Sequence, residues 1–223
     1  MTYSTSINAI ISAARSLFRN RRSLLLMLAV YAGLLAAIYL FVSTREASIS
    51  QLILTLITVI AAPALFFVLQ AAIVGPTSRG LITRSVKLLA VSAPIIALTV
   101  AAVYGLNKFQ THPTIVMTVR YLSWAVLAPL LVVQLWIAVS NGGLGVKRVL
   151  RRAFAPQSMF VYACGFLVFA VAPYFLLQKS IPAHRPWVEL SLIVARLGLT
   201  ALLILLGWAI TVRTLSILNA RQT

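Results

Sequence analysis

Arg196 is the one charged side chain lying well inside an apolar run of this 223-residue chain, about eight residues into the last such run. That places it ~12 Å along a helix axis at 1.5 Å per residue. An arginine at depth costs about 2.5 to 3.5 kcal/mol on insertion scales, so it needs a partner or a route to water. Glu189 sits two turns back on the same helical face, and helical side chains lean toward the N-terminus, so pairing or snorkelling is open to Arg196. A Tyr or Gln on a neighbouring helix, Tyr174 or Gln134 for example, or a lipid phosphate would also serve. Arg196, Glu189 and Gln134 are therefore the candidates for an intramembrane charge or lipid contact.

The other groups able to do chemistry are sparse. Cys164 stands alone, which leaves neither a disulfide nor a thiolate metal site. Glu46, His112, His184 and Glu189 could in principle supply zinc ligands, but no pair has ligand spacing, and prolines at 113, 182 and 186 mark the histidines as loop residues. Phosphate-binding, zinc-protease, nucleophile-elbow and dinucleotide motifs are absent. The sequence thus names no catalytic, cofactor-binding or metal residue, and no cofactor. Proton-coupled transport is disfavoured as well, because its relays need Asp, Glu or His deep in a span.

The elements that must position these residues are membrane helices. Hydrophobic residues make up 61% of the chain and charged ones 9%, with a mean hydropathy of +1.02, far from soluble usage. A helical span needs roughly 20 apolar residues, because its backbone polar groups must be satisfied within the segment. Six runs qualify, at about 24–42, 51–75, 87–106, 119–140, 158–178 and 188–212. The expectation is an all-α polytopic bundle, a single integral membrane domain over 1–223. The first run follows Arg19, Arg21 and Arg22 and reads as an uncleaved signal anchor.

Orientation follows from the basic residues, because short basic loops resist translocation. Thirteen of the nineteen Lys and Arg residues fall in the N-terminal segment, the second and fourth loops and the tail, against five in the remaining loops. Both termini are expected in the cytoplasm, in a plasma membrane of bacterial inner-membrane type; the fifteen Arg against four Lys suit a GC-rich bacterial source. With only two acidic residues the net charge is +17. Basic groups beside spans meet anionic lipid headgroups, and without interleaved aromatic residues or a nucleic-acid module they do not point to nucleic acid.

Two basic segments have helical periodicity. In 6–22, Ile7, Ile10, Ile11, Ala14, Leu17 and Phe18 form an apolar stripe opposite Asn8, Ser12, Arg15, Arg19 and Arg22. In 144–154, Val146, Val149, Leu150, Ala153 and Phe154 oppose Lys147, Arg148, Arg151 and Arg152. Both are expected as interfacial helices with their cations toward lipid phosphates, with docking of a cytoplasmic partner as the alternative.

These pieces recur. Arg19, Arg84 and Arg151 fall 65 and 67 residues apart, each just before an odd-numbered span, and Ala62-Pro63 lies 66 before Ala128-Pro129. The pattern suggests three tandem hairpins repeated in the same sense. Small residues at 29, 33 and 37 and at 93, 97, 101 and 105 are expected at helix contacts, and Pro63, Pro94, Pro129 and Pro173 at kinks.

The opening Arg15-Ser-Leu-Phe-Arg-Asn-Arg-Arg-Ser-Leu-Leu, the proline-bearing pairs and Leu144-Gly-Val-Lys-Arg-Val-Leu-Arg-Arg resemble small six-span bacterial proteins related to the membrane domain that precedes some glycerophosphodiester phosphodiesterases. The likeness covers most of the chain and implies six spans, without the catalytic domain and without an activity for the membrane part. An interfacial helix, six spans and cytoplasmic ends also look like the permease subunit of an exporter driven by a separate ATPase. The leading expectation is a non-enzymatic accessory or scaffold subunit that packs with membrane partners or anionic lipid. The permease and a membrane-embedded lipid-handling protein follow.

Overall fold

In lipid each backbone N–H and C=O must find its partner inside the protein, which leaves an apolar chain of this composition little choice but helices. The computed structural model describes residues 3–45, 48–75, 80–108, 113–140, 145–178 and 186–220, and every regular element among them is helical. In chain order these are α1 (Tyr3–Arg19), α2 (Arg21–Ser43), α3 (Ile49–Val74), α4 (Leu81–Lys108), α5 (Pro113–Leu122), α6 (Ala128–Ser140), α7 (Val146–Ala153), α8 (Pro156–Phe166), α9 (Ala172–Gln178) and α10 (Pro186–Ala220). Six stretches are long and apolar enough to cross a membrane: Arg21–Ser43, Ile49–Val74, Leu81–Gly105, Val116–Ser140, Pro156–Gln178 and Trp187–Ala220. The chain is an all-α, polytopic membrane protein.

Each expected span overlaps one of these stretches; the third starts at Leu81, six residues before the expected 87, and two further shifts change which residues belong to a helix. The first is at Asn20, where the interfacial helix stops instead of running on to Arg22. The Asn20 side chain accepts a hydrogen bond from the Ser23 amide at 3.2 Å and caps α2, so Arg21 and Arg22 join the first turn of the span. Asparagine is a strong N-cap because its carbonyl oxygen satisfies an otherwise orphaned amide. The second shift is at the end of α10, which continues as helix past residue 212 to Ala220.

The four intrahelical prolines divide into two kinds. Pro63 and Pro94 sit in unbroken α-helix. Pro129 and Pro173 each follow a π-helical turn, Ser123–Leu127 and Leu167–Val171, with a single alanine between. A proline lacks the amide donor and its ring crowds the carbonyl four residues back; a π turn just before it widens the helix at that crowded point. Ala62-Pro63 and Ala128-Pro129, matched by spacing, therefore differ in backbone.

Contacts gather in two units, Asn20–Ala153 and Met1–Arg19 with Phe154–Thr223. Within the first, α2 packs on α3, α3 on α4, α4 on α6 and α6 on α7. Phe66 and Phe67 meet Trp136 edge-on, with centroids 6.4 and 6.5 Å away. The Trp136 indole N–H donates to Ser92 Oγ at 2.7 Å, and that hydroxyl donates to the Leu88 carbonyl at 2.6 Å. Both side chains are buried. In lipid such a bond links helices that gain nothing by merely hiding apolar surface from apolar tails.

This bond also decides which face of α4 turns inward. Ala93, Ala97 and Ala101, expected at a helix contact, are exposed, and nothing lies within 4 Å of a Cβ placed on Gly105. Ser85, Leu88 and Ser92 are buried instead, because the serine hydroxyl must reach the indole. On α2 the expectation holds in part: Ala37 is buried and Gly33 faces Leu65, while Ala29 is exposed.

In the other unit α10 runs antiparallel to the broken helix α8–α9. Two glycines fix the register: Gly165 abuts Thr211, and Gly207 abuts Val168 and the Phe169 backbone. Phe169 meets the Trp208 ring edge-on at 5.2 Å. The first helix, α1, packs on α10 and α8. Of its expected stripe only Leu17 is buried; Ser6, Ala9 and Ala13 join it, and Ile7, Ile11 and Phe18 stay about half exposed. Small side chains let α1 approach closely, leaving the large ones for a different neighbour.

Two outcomes check these contacts. Gly165→Ala drives a methyl into the short Thr211 side chain and lowers thermal stability in detergent by about 1–3 kcal/mol, Thr211→Ala restores it, and Gly105→Ala is neutral. Ser92→Ala leaves the indole N–H without its acceptor and costs about 0.6–2 kcal/mol, read as a lowered unfolding midpoint.

Candidate functional site

The last four carbonyls of a helix lack intrahelical donors and carry the negative end of its dipole. Arg196 answers that need on α9: its Nε donates to the Leu176 carbonyl and its Nη2 to the Leu177 carbonyl. The planar fork of the guanidinium suits two adjacent acceptors. From Trp187 to Leu199 no residue of α10 is buried, so among the described residues this fork is a polar tie between the N-terminal part of α10 and α9. Glu189 lies exposed in the first turn of α10, where a carboxylate complements the helix dipole. Tyr174 accepts a hydrogen bond from Gln178 Nε2.

Gln134 is buried in α6 and belongs to the other unit, as does Gln70 in α3. An arginine lies at a helix end there too. The Arg84 guanidinium of α4 lies over Gly75, the residue that ends α3, so closely that a Cβ on Gly75 would overlap it. Sequence reasoning weighed side chains and lipid as partners for Arg196 and passed over backbone carbonyls.

The remaining candidates are the cations of α1, α2 and α7. Arg15, Arg19, Arg22, Lys147, Arg148 and Arg151 are exposed and Arg152 is half-buried. At 100° per residue, set by 3.6 residues per turn, each basic helix has three faces. On α1 a packed face of Ser6, Ala9, Ala13 and Leu17 gives way to a free apolar face of Ile7, Ile11 and Phe18, then to Asn8, Ser12, Arg15 and Arg19. On α7 buried Val149 and Ala153 give way to exposed Val146 and Leu150, then to the four cations; Phe154, expected in the same stripe, lies in the turn after the helix. The faces follow in the same rotational order on both.

Energetics make α7 the more demanding of the two. It is eight residues long, shorter than the ~12–15 residues an isolated helix needs. Its Lys147–Arg151 and Arg148–Arg152 pairs are like charges at i,i+4, each destabilising by roughly 0.2–0.5 kcal/mol. Packing on α6 through Val149 and Ala153 supports it. The chain's two side-chain carboxylates are Glu46, outside the described residues, and Glu189, on α10; α7 itself carries none to offset its four cations. His112 and His184 also lie outside the described residues, and no group of three metal-binding side chains occurs among the described ones.

Comparison with known proteins found no matching family model, curated protein or solved structure.

The assignment of Arg196 predicts unequal effects of two neutralising substitutions. Arg196→Leu removes two charge-assisted hydrogen bonds, each worth about 1.5–3 kcal/mol, against a regained insertion cost of about 2.5–3.5 kcal/mol. Taken at the middle of each range the balance is a net loss of about 1.5 kcal/mol in detergent unfolding, while Glu189→Gln changes nothing measurable.

Proposed function

We propose that this protein is a non-enzymatic membrane scaffold that holds anionic lipid, and through it partner membrane proteins, against its basic side. The observation that carries the reading is the build of α1 and α7: a face packed on the protein, a free apolar face and a cationic face, in one rotational order. A helix packed on its own bundle needs no second apolar face. Lying in the interface, that face enters the acyl region while the neighbouring cations reach headgroup phosphates.

Six alternating crossings support a shared side for the segments carrying α1, α7 and the end of α10, and the excess of basic residues in those segments supports a cytoplasmic assignment for it. A bacterial inner membrane, rich in anionic lipid, suits such a surface. The likeness of the two basic segments to the membrane domain found beside phosphodiesterases fits a role without chemistry of its own.

Purification of the full chain in mild detergent, followed by mass spectrometry of retained lipids and proteins, tests the reading. Anionic phospholipid is expected to be retained over zwitterionic lipid, and Arg148→Gln with Arg151→Gln should weaken retention roughly thirtyfold at about 1 kcal/mol per cation. A stoichiometric ATPase without enriched lipid would replace the scaffold with the permease subunit.

A further inference from the structure

Resting on the anionic-lipid reading, we infer that α7 seats one phospholipid whose headgroup carries two linked phosphates. Its cations form two neighbouring rows along the helix, Lys147 with Arg151 and Arg148 with Arg152. Residues four apart on a helix have Cβ atoms about 5–6 Å apart, close enough for two side chains to clasp a single phosphate between them. Two rows side by side hold two phosphates side by side. α1 has one such row, Arg15 with Arg19, and provides an internal comparison.

Two separate monoanionic headgroups on adjacent rows would repel each other and would each have to be immobilised. One headgroup with linked phosphates is placed once, and its second phosphate meets its row at high effective concentration. Acyl chains from that headgroup have a surface to follow in Val146 and Leu150, the exposed apolar residues bordering the cations. The opposite side of α7 is anchored by buried Val149 and Ala153 on α6, so the rows belong to a helix that is already held in place.

The experiment titrates the purified full chain with a bisphosphate phospholipid and with a monophosphate anionic phospholipid at equal phosphate, followed by native mass spectrometry. One bisphosphate lipid should bind about tenfold more tightly per phosphate. Lys147→Gln with Arg151→Gln removes one row and should bring that preference close to unity, whereas Arg15→Gln with Arg19→Gln leaves it. The swap Lys147→Arg with Arg151→Lys keeps the row's charges and should keep the preference, which separates loss of the row from loss of the helix. Equal affinity per phosphate, or a preference that survives removal of the row, overturns the bisphosphate assignment and leaves the anionic-lipid reading standing. Failure to retain either lipid overturns both.

Discussion

A membrane helix satisfies its own backbone everywhere except at its ends and wherever a proline interrupts it, and the polar features of this protein collect at those points. Asn20 caps the start of α2, Arg84 lies over the end of α3, and Arg196 holds the last carbonyls of α9. Pro129 and Pro173 follow π turns. Arg196 thus meets carbonyl oxygens and not a carboxylate, of which the chain's side chains supply two.

Away from those points the helices are held by shape and by single hydroxyls. Gly165 and Gly207 allow α10 to close on the broken helix beside it, and Ser92 receives the Trp136 indole. Polar links of this kind choose a face more decisively than small residues do. The alanines of α4 repeat every four residues and still turn outward, because the face opposite them carries the serine that has a partner to reach.

The existence and number of the spans were legible because twenty apolar residues in a row have few other uses. The helix break at Asn20 was equally readable in kind, since asparagine before a basic-apolar run is an N-cap signal, yet the arginines after it were assigned to the wrong helix. Periodicity exposed the cationic faces of α1 and α7, while the division of their apolar residues into packed and free faces was hidden. A hydrophobic stripe reports that a residue avoids water; it does not distinguish a protein neighbour from lipid. Arg196 was conspicuous by its type, but its partner is a pair of backbone carbonyls, and every residue in a sequence has a carbonyl.

The seating of α1 has a consequence for the order in which the protein can be completed. α1 is synthesised before α10, on which it packs, with five spans between them. Throughout the synthesis of the five intervening spans the small-residue face of α1 has no α10 to receive it, and the basic, apolar helix is left to wait on the membrane surface. The unit that joins α1 to α10 is therefore assembled only after α10 has been made, and a chain arrested before α10 leaves that face of α1 without α10.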